Sequence, residues 1–519
     1  MAVIEMPLSY LKKKTNMEED AVIELLSMLG FPSEVEEDVA YVEVTPDRLD
    51  LLTYEGIIRA VNTYNSGETR EYRAGIGGKI ENRGVKQRPY IVGFTVNGIK
   101  DRDGFLEGII IAQEKIHQTF GRKRKKIAIG IHDLDKVELP LEYVEKEDVS
   151  FVPLDWEEEA SVHRILEEHE KGKLYGKLIH EPYPFVMDKK GVVSLPPIIN
   201  ADRTKLTEES SNFLVEITGN DKNALEDVAR VLACSFIDRG GEVNIMEVDG
   251  KPSFSLDREE VAVDSRFVNK LLGMEFSEEE MEKLLRKSDI IYKDGKARTP
   301  CYRYDLFGEA DIAEEVMINH GYDKIEGKEL PLYQAGELNN EWMEERKAML
   351  LSGFYETLGF FLINNDVQKR FFDGTVEVMD AVSKEHNGLR ASVMLTLLST
   401  EAINKMEKLP HKYFEIGRVY RDGKEWSELG FLLAGERADI DKAVGVAKRL
   451  AQQLGKEFKI IEKEKEFSPF FIEGRHISFE IGELVGELGE IKPEVNELYN
   501  INNALTACVM WKKEERQRG

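Results

Sequence analysis

The segment from Cys301 to Ile325 reads CYRYDLFGEADIAEEVMINHGYDKI and gathers four carboxylates, Asp305, Asp311, Glu314 and Glu315, around the start of a helical pattern. Asp311, Glu314 and Glu315 stand at i, i+3 and i+4, one face of a helix, where like charges repel by roughly 0.2–0.5 kcal/mol per pair. Any fold that accepts this segment must neutralise that face. A hard divalent cation bound through oxygen ligands is one solution. The positive end of the helix macrodipole, which favours acidic side chains in a first turn with no metal present, is another. The segment closes on Asn319-His320-Gly321, and Gly321 suits a left-handed helix cap.

The whole chain is acidic, with 98 Asp and Glu against 71 Lys and Arg over 519 residues. That excludes a generic nucleic-acid coat, which is basic overall, and leaves room for RNA held by a local patch or by a partner chain. Three scattered cysteines, Cys234, Cys301 and Cys508, contain no CxxC pair. They give neither a zinc knuckle nor a disulfide framework, and they suit a reducing cytoplasm. There is no signal-peptide pattern and no apolar run of membrane-spanning length, so no membrane partner is expected.

Local signals divide the chain into four parts. Residues 1–86 open with a helix carrying Val22, Leu25 and Leu26, for which Asn16 and Glu19 form a reciprocal cap. A strand at Tyr41 to Val44 follows, then a helix capped by Thr53 that turns Ile57, Ile58 and Val61 inward. The stretch 67–88, rich in Gly, Arg, Lys and Glu, reads as a linker or exposed loop. Residues 87–253 begin with a strand from Tyr90. They include five successive basic residues, Arg122 to Lys126, a candidate phosphate contact or a solvated loop. His132-Asp133 ends an apolar strand and has no evident nucleophile beside it. Strand 212–218 alternates, with Phe213, Val215 and Ile217 on one side. Asn200, Glu216 and Thr218 carry groups suited to a polar pocket, or equally to a sheet surface and turn.

Residues 254–330 hold a helix ended by Gly273, a Ser277–Glu280 capping box, an Asp294-Gly295 turn and the acidic segment. Residues 331–519 start with a long helix from about Asn340 to Leu358 and continue as an antiparallel sheet with an Asp422-Gly423 hairpin. The fold class expected is multidomain α+β. The final glycine segment, GELGEIKPE, has no phosphate-binding lysine or arginine, and no dinucleotide fingerprint occurs.

Several segments in one order carry a resemblance: PDRLDLLTYEG, QEKIHQTFGRKRKKIAIGIHDLD, PPIINADRTKLTEES with FLVEITGND, RYDLFGEADIAEEVMINHGYDKI, and HNGLRASVMLTLLS with YFEIGRVY and GELGEIKPEV. The chain resembles the phenylalanyl-tRNA synthetase β-subunit family of the archaeal and eukaryotic cytosolic type. The resemblance implies a mixed α/β editing domain in the middle and a class II synthetase-like antiparallel domain at the C-terminus. It also implies an (αβ)₂ assembly that charges tRNA(Phe) with phenylalanine using ATP at the α subunit. This chain would support α, contact tRNA and hydrolyse mischarged Tyr-tRNA(Phe). Carried over by position, the resemblance implies Mg²⁺ on Asp305, Asp311, Glu314 and Glu315. The editing pocket falls to Asn200, Glu216 and Thr218, with His132 a possible but unassigned base, and tRNA contact to Arg122, Lys123 and Arg124. A class II active site needs arginines to clamp phosphates. Here the hairpin carries Glu415 and Gly417 with Arg418 and Arg421 at its far end, and the glycine segment carries Glu487 and Glu490. The C-terminal domain is therefore expected not to catalyse aminoacylation. A stand-alone aminoacyl-tRNA hydrolase and a non-catalytic scaffold are the alternatives.

Overall fold

The computed structural model describes residues 2–327, 329, 336, 341–462 and 469–513, and the chain divides into two compact units, 1–329 and 330–519. The expected boundary at 330/331 and the expected helix start at Asn340 lie outside the described residues. Both units are α+β.

The first unit opens with β1 (Ala2–Pro7), α1 (Leu8–Thr15), α2 (Glu19–Met28), β2 (Ser33–Glu36), β3 (Val39–Val44) and α3 (Tyr54–Ser66), with a three-stranded sheet in the order β1-β3-β2. Alternation in β3 turns Ala40, Val42 and Val44 into the core. Thr53 caps α3 as expected, its hydroxyl accepting from the Gly56 N–H at 2.9 Å. The expected Asn16–Glu19 cap does not form. Asn16 sits in the left-handed region at the end of α1 (φ 53°), and α2 begins after Glu18 without a side-chain cap. The expected helix is α2, and the structure adds β1 and α1 ahead of it, with Asn16 the stop between the two helices.

Next come β4 (Gly75–Asn82), β5 (Tyr90–Asn97), α4 (Phe105–Gln118), β6 (Ile127–Asp133), β7 (Leu141–Lys146), α5 (Val162–Glu168), α6 (Glu170–Tyr175), β8 (Tyr183–Asp188), β9 (Gly191–Leu195), β10 (Ile199–Asn200), β11 (Phe213–Gly219), α7 (Lys222–Asp238) and β12 (Glu242–Val248). The strands run β10-β9-β8-β7-β4-β12-β5-β11-β6 in a ten-stranded sheet, with a short tenth strand at Lys251–Pro252 beside β12. The expected linker over 67–88 is thus corrected. Its second half is a central strand, parallel to both β12 and β7, and the break drawn at residue 86 cuts through this module. Glycine misleads here because it serves close approach: a Cβ at Gly75 would stand 2.3 Å from the Asn244 Oδ1. Phe213, Val215 and Ile217 of β11 face α4 and α7 in an aromatic core with Phe94, Phe105 and Phe236. The opposite face carries Glu216 and Thr218. The sheet curls until β9 and β10 stand across a cavity from β11 and β6.

The unit ends with β13 (Lys251–Pro252), β14 (Glu259–Ala262), α8 (Ser265–Leu272), α9 (Glu278–Arg286), β15 (Ile291–Lys293), β16 (Lys296–Thr299) and α10 (Glu309–His320). The Ser277–Glu280 capping box forms with both of its bonds. Gly273 takes the left-handed cap, whereas Gly321 ends α10 at φ 98°, ψ 119°. Cys234 on α7 and Cys301 after β16 face each other as thiols, Sγ to Sγ 3.6 Å, and all three cysteines are free and buried.

The second unit is a seven-stranded sheet in the order Tyr355–Glu356, His411–Arg421, Lys424–Gly435, Ala504–Lys512, Leu484–Ile491, Phe471–Ile481, Phe458–Ile461, antiparallel except for the first pair. Asp422 and Gly423 both take positive φ, the turn that matches strand twist in a two-residue hairpin. Helices Met343–Leu351 and Ile440–Gln453 cover one face through Met349 and Leu450, and helix Val393–Asn404 covers the other through Met394 and Leu397. The expected helix to Leu358 stops at Leu351, because Gly353 (φ 76°) turns the chain into the edge strand.

Candidate functional site

A cavity of about 500 Å³ lies between the two ends of the curled sheet. Its walls include Asn200, Glu216, Ser194, Gln113, Glu114, Arg124 and the Pro196-Pro197 pair, with Lys171 and Lys205 also lining it. Glu216 is held deep in the sheet between β5 and β6, opposite Gly93 and Gly130. A Cβ at Gly130 would stand 2.3 Å from the Glu216 Oε1, so only glycine leaves room for this carboxylate. Glu216 Oε1 accepts from the Ser194 hydroxyl at 2.7 Å. Its Oε2 is buried and has no partner among the described residues, and the same holds for the Thr218 hydroxyl one register step along the same face. An unsatisfied buried acceptor costs about 1–3 kcal/mol. His132 is fully buried, its Nδ1 2.9 Å from the Thr204 hydroxyl. Its Nε2, 3.8 Å from Glu216 Oε1, is likewise buried without a partner among the described residues.

Of the three expected pocket residues, Asn200 and Glu216 line the cavity, and Thr218 lies behind its wall. Ser194, Glu114 and the glycine opposite Glu216 were not singled out from the sequence. The i, i+3 pair Glu114–His117 on α4 was the legible signal. His117 Nε2 accepts from the Ile129 N–H at 2.8 Å, which leaves its Nδ1 to donate to Glu114. Burial holds His117 below its usual range, as a neutral ring. Burial alone would raise Glu114; the His117 bond and the Arg124 charge outweigh it and bring Glu114 to about 2.

The basic run divides in two. Arg122, Lys123 and Arg124 adopt φ of 50°, 54° and 65°, three consecutive left-handed residues, each costing about 1–2 kcal/mol for a residue with a Cβ. Arg122 and Lys123 project into solvent. Arg124 does not: its buried guanidinium donates to the carbonyls of Pro197 (3.2 Å) and Ile198 (3.0 Å) and to Glu114 Oε1 (2.8 Å). The expectation of an outward tRNA contact at Arg124 is corrected, since the left-handed turn aims this side chain into the pocket wall. Arg88, also buried, donates to the carbonyls of Arg124, Lys125 and Thr218 and so braces the turn from behind.

The acidic segment behaves differently. Arg303 Nη2 donates to Asp305 (2.7 Å) and to Glu315 (2.5 Å). Burial disfavours the charges of Arg303 and Glu315, but their attraction to neighbouring opposite charges wins: Glu315 is held below its usual range and Arg303 above. Asp311 is spent on the helix start, its Oδ2 accepting the N–H groups of Phe307 and Gly308 at 2.8 Å each. Glu314 is exposed. The four carboxylates therefore do not converge. Among the described residues no three His, Cys, Asp or Glu side chains are grouped to hold a metal ion. As placed here, the four residues expected to hold Mg²⁺ are not gathered into one ligand set: Arg303 pairs with Asp305 and Glu315, and the backbone N–H groups of Phe307 and Gly308 engage Asp311.

On the C-terminal sheet Arg390 is bound by Glu415, Arg418 by Glu425 (3.1 Å) and Arg475 by Glu490 (2.8 Å), while Arg421 lies over the Phe372 and Trp426 rings. Only Arg390 is buried with its partner; Arg418 and Arg475 pair at exposed positions, where such bridges are weak.

Comparison with known proteins identifies the modules. Residues 261–322 match the tRNA synthetase B5 domain, and residues 336–510 match the phenylalanyl-tRNA synthetase beta chain CLM domain. The class these modules define is a subunit of an aminoacyl-tRNA synthetase. The β subunit of phenylalanine–tRNA ligase from Archaeoglobus fulgidus is 34% identical over 98% of this chain and 97% of its own length. That of Methanocaldococcus jannaschii is 35% identical over 95% and 97%. A crystal structure of an N-terminal fragment of the Pyrococcus horikoshii phenylalanyl-tRNA synthetase β subunit matches with a TM-score of 0.57 and 28% identity, covering 62% of this chain and 99% of the fragment. The chain belongs to the phenylalanine–tRNA ligase β-subunit family. No helix among the described residues is long and apolar enough to cross a membrane.

Proposed function

We propose that this chain assembles with an α subunit as an (αβ)₂ phenylalanine–tRNA ligase, and that its own chemistry is the hydrolysis of mischarged Tyr-tRNA(Phe) in the sheet cavity. The observation that carries the second part is the Glu216 carboxylate, buried in the cavity wall with Oε2 unpartnered. A tyrosine side chain supplies the missing donor through its hydroxyl, and phenylalanine does not. Sites built to bond a hydroxyl reject the analogue without it by about 10⁴–10⁵-fold at most. Asn200 and Ser194 offer further polar groups around the ester. The aminoacyl ester is already activated, so an ordered water attacking its carbonyl, with the ribose hydroxyl as leaving group, is sufficient chemistry.

Aminoacylation belongs to α in this reading, because the C-terminal sheet sets carboxylates, Glu415, Glu487 and Glu490, where a phosphate clamp needs arginines, and its buried Arg390 is taken up by Glu415. ATP is then a substrate of the assembly, with Mg²⁺ entering on its phosphates. Exposed apolar side chains in the second unit, including Leu358, Phe360, Met379 and Val382, supply a surface for that subunit. Arg122 and Lys123 are the proposed tRNA contacts. The free thiols suit a cytoplasmic location.

The test combines this chain with α. The chain alone fails at phenylalanine-dependent pyrophosphate exchange and α restores it; exchange without α contradicts the assembly. The complex deacylates Tyr-tRNA(Phe) at least ~10²-fold faster than Phe-tRNA(Phe). Intact Tyr-tRNA(Phe) contradicts the hydrolytic reading and leaves a scaffold.

A further inference from the structure

The basic turn touches both walls of the cavity. Through Arg124 it holds the carbonyls of Pro197 and Ile198, next to Asn200 on one wall. Through Arg88, which grips the carbonyls of Arg124 and Lys125, it is bound to Thr218 O at 2.7 Å, two residues from Glu216 on the other. The turn also exposes Arg122 and Lys123, adjacent in sequence to the side chain that turns inward. Strained backbone of this kind persists only where the surroundings over-determine it, and such strain gathers at functional sites. Here the strain has a visible product: successive basic side chains point to opposite sides of the wall.

We infer that Arg124 is a positioning residue that couples an RNA phosphate held by Arg122 and Lys123 to the shape of the cavity wall at Pro197 and Ile198. This rests on the hydrolytic reading of the cavity. Arginine is required by the geometry, because its planar fork reaches two carbonyls and the Glu114 carboxylate at once while its face lies 4.7 Å from the Tyr175 ring centre. Lysine offers one point charge on a flexible stem and cannot bridge the three acceptors in the same way. RNA drawn onto the outer residues pulls on a turn whose inner residue is bonded to the substrate side of the wall. Binding and pocket geometry thus share one element.

The experiment uses the complex with α and Tyr-tRNA(Phe). Arg124→Gly is the first variant, since glycine accepts φ 65° without strain and the turn keeps its backbone. Arg124→Lys, which keeps charge and most of the stem, is the second. The expected result is a fall in the kcat of deacylation approaching 10²-fold, of the order that misplacement of reacting groups produces, with KM for the RNA little changed. Added guanidinium ion restores part of kcat in Arg124→Gly and does nothing for the wild type. Arg122→Ala with Lys123→Ala raises KM, lowers the salt dependence of binding and lowers kcat as well, because the coupled turn has lost its hold on the RNA; a rise in KM with wild-type kcat in this double variant overturns the coupling. Wild-type kcat in both Arg124 variants overturns the inference. So does a rise in KM alone, which would make Arg124 an ordinary phosphate contact. A wild-type complex that leaves Tyr-tRNA(Phe) intact overturns the hydrolytic reading and the inference together, whereas a variant result alone, with the wild type active, bears only on the inference.

Discussion

Arg303 and Arg124 are both buried arginines inside dense charge runs, yet they stand in opposite kinds of surroundings. Arg303 meets the carboxylates of Asp305 and Glu315, and its neighbourhood includes a second pair, Arg48 with Asp50 at 2.9 Å. The cavity beside it is only about 40 Å³, room for water and little else. Arg124 meets one carboxylate and two backbone carbonyls beside a cavity of about 500 Å³. That cavity is walled by Glu216, whose Oε2 has no partner among the described residues. Both regions hold buried atoms without a partner among the described residues, Arg59 Nε and Nη2 beside Arg303 and Glu216 Oε2 beside Arg124; the difference is the size of the space they border.

The largest effect that sharpens this contrast is on stability. Arg303→Met strands two buried carboxylates and costs about 3–5 kcal/mol of unfolding free energy in urea. A loss below ~1 kcal/mol would mean that the acidic segment is held by something else, a cation included. Next comes Gly130→Ala, whose methyl group collides with the Glu216 carboxylate. Overpacking of this kind costs about 1–3 kcal/mol, and deacylation is expected to fall further than the loss of folded protein explains. Equal losses of activity and fold would remove the special role of that glycine.

Acid should separate the two regions further. Glu114 is held at about 2 against an ordinary 4.5, so its contribution is fully present above pH 4.5 and is lost as pH falls towards 2. His117 is depressed from 6.5 by burial, so the unfolded chain takes up its proton first and stability begins to fall below about pH 6.5. Urea unfolding of Glu114→Gln across this range should show a shallower loss below pH 4.5 than the wild type. An unchanged slope would sever Glu114 from the pocket network. Smallest of all, Glu314→Ala should stay within about 0.5 kcal/mol of wild type, as exposed substitutions do. Chelation of divalent cations should leave the unfolding midpoint of this chain in place, and a clear drop would restore the metal reading.

Much of the fold was legible because its signals are local. The Thr53 cap, the Ser277–Glu280 box, the Asp422-Gly423 turn and the alternation through Phe213, Val215 and Ile217 each depend on residues a few positions apart. The strand Gly75–Asn82 was not, because its glycines serve a neighbour 169 positions away, Asn244, and in sequence they read as flexibility. The sites split on the same line. Glu216 and Asn200 could be named from chemistry and order. The directions of Arg124 and Arg303 could not, since the partners that turn them inward are Pro197, 73 residues on, and Glu315, on the far side of a helix start. Spacing reports how much charge a segment holds, and only the fold says whether that charge is already answered.

The most direct measurement is the deacylation of Tyr-tRNA(Phe) by the complex with α, comparing Glu216→Gln with Glu314→Ala. The account predicts that Glu216→Gln loses about 10²-fold or more in kcat/KM, together with discrimination against Phe-tRNA(Phe), while Glu314→Ala matches the wild type. Wild-type deacylation by Glu216→Gln, or a comparable loss in Glu314→Ala, would contradict it.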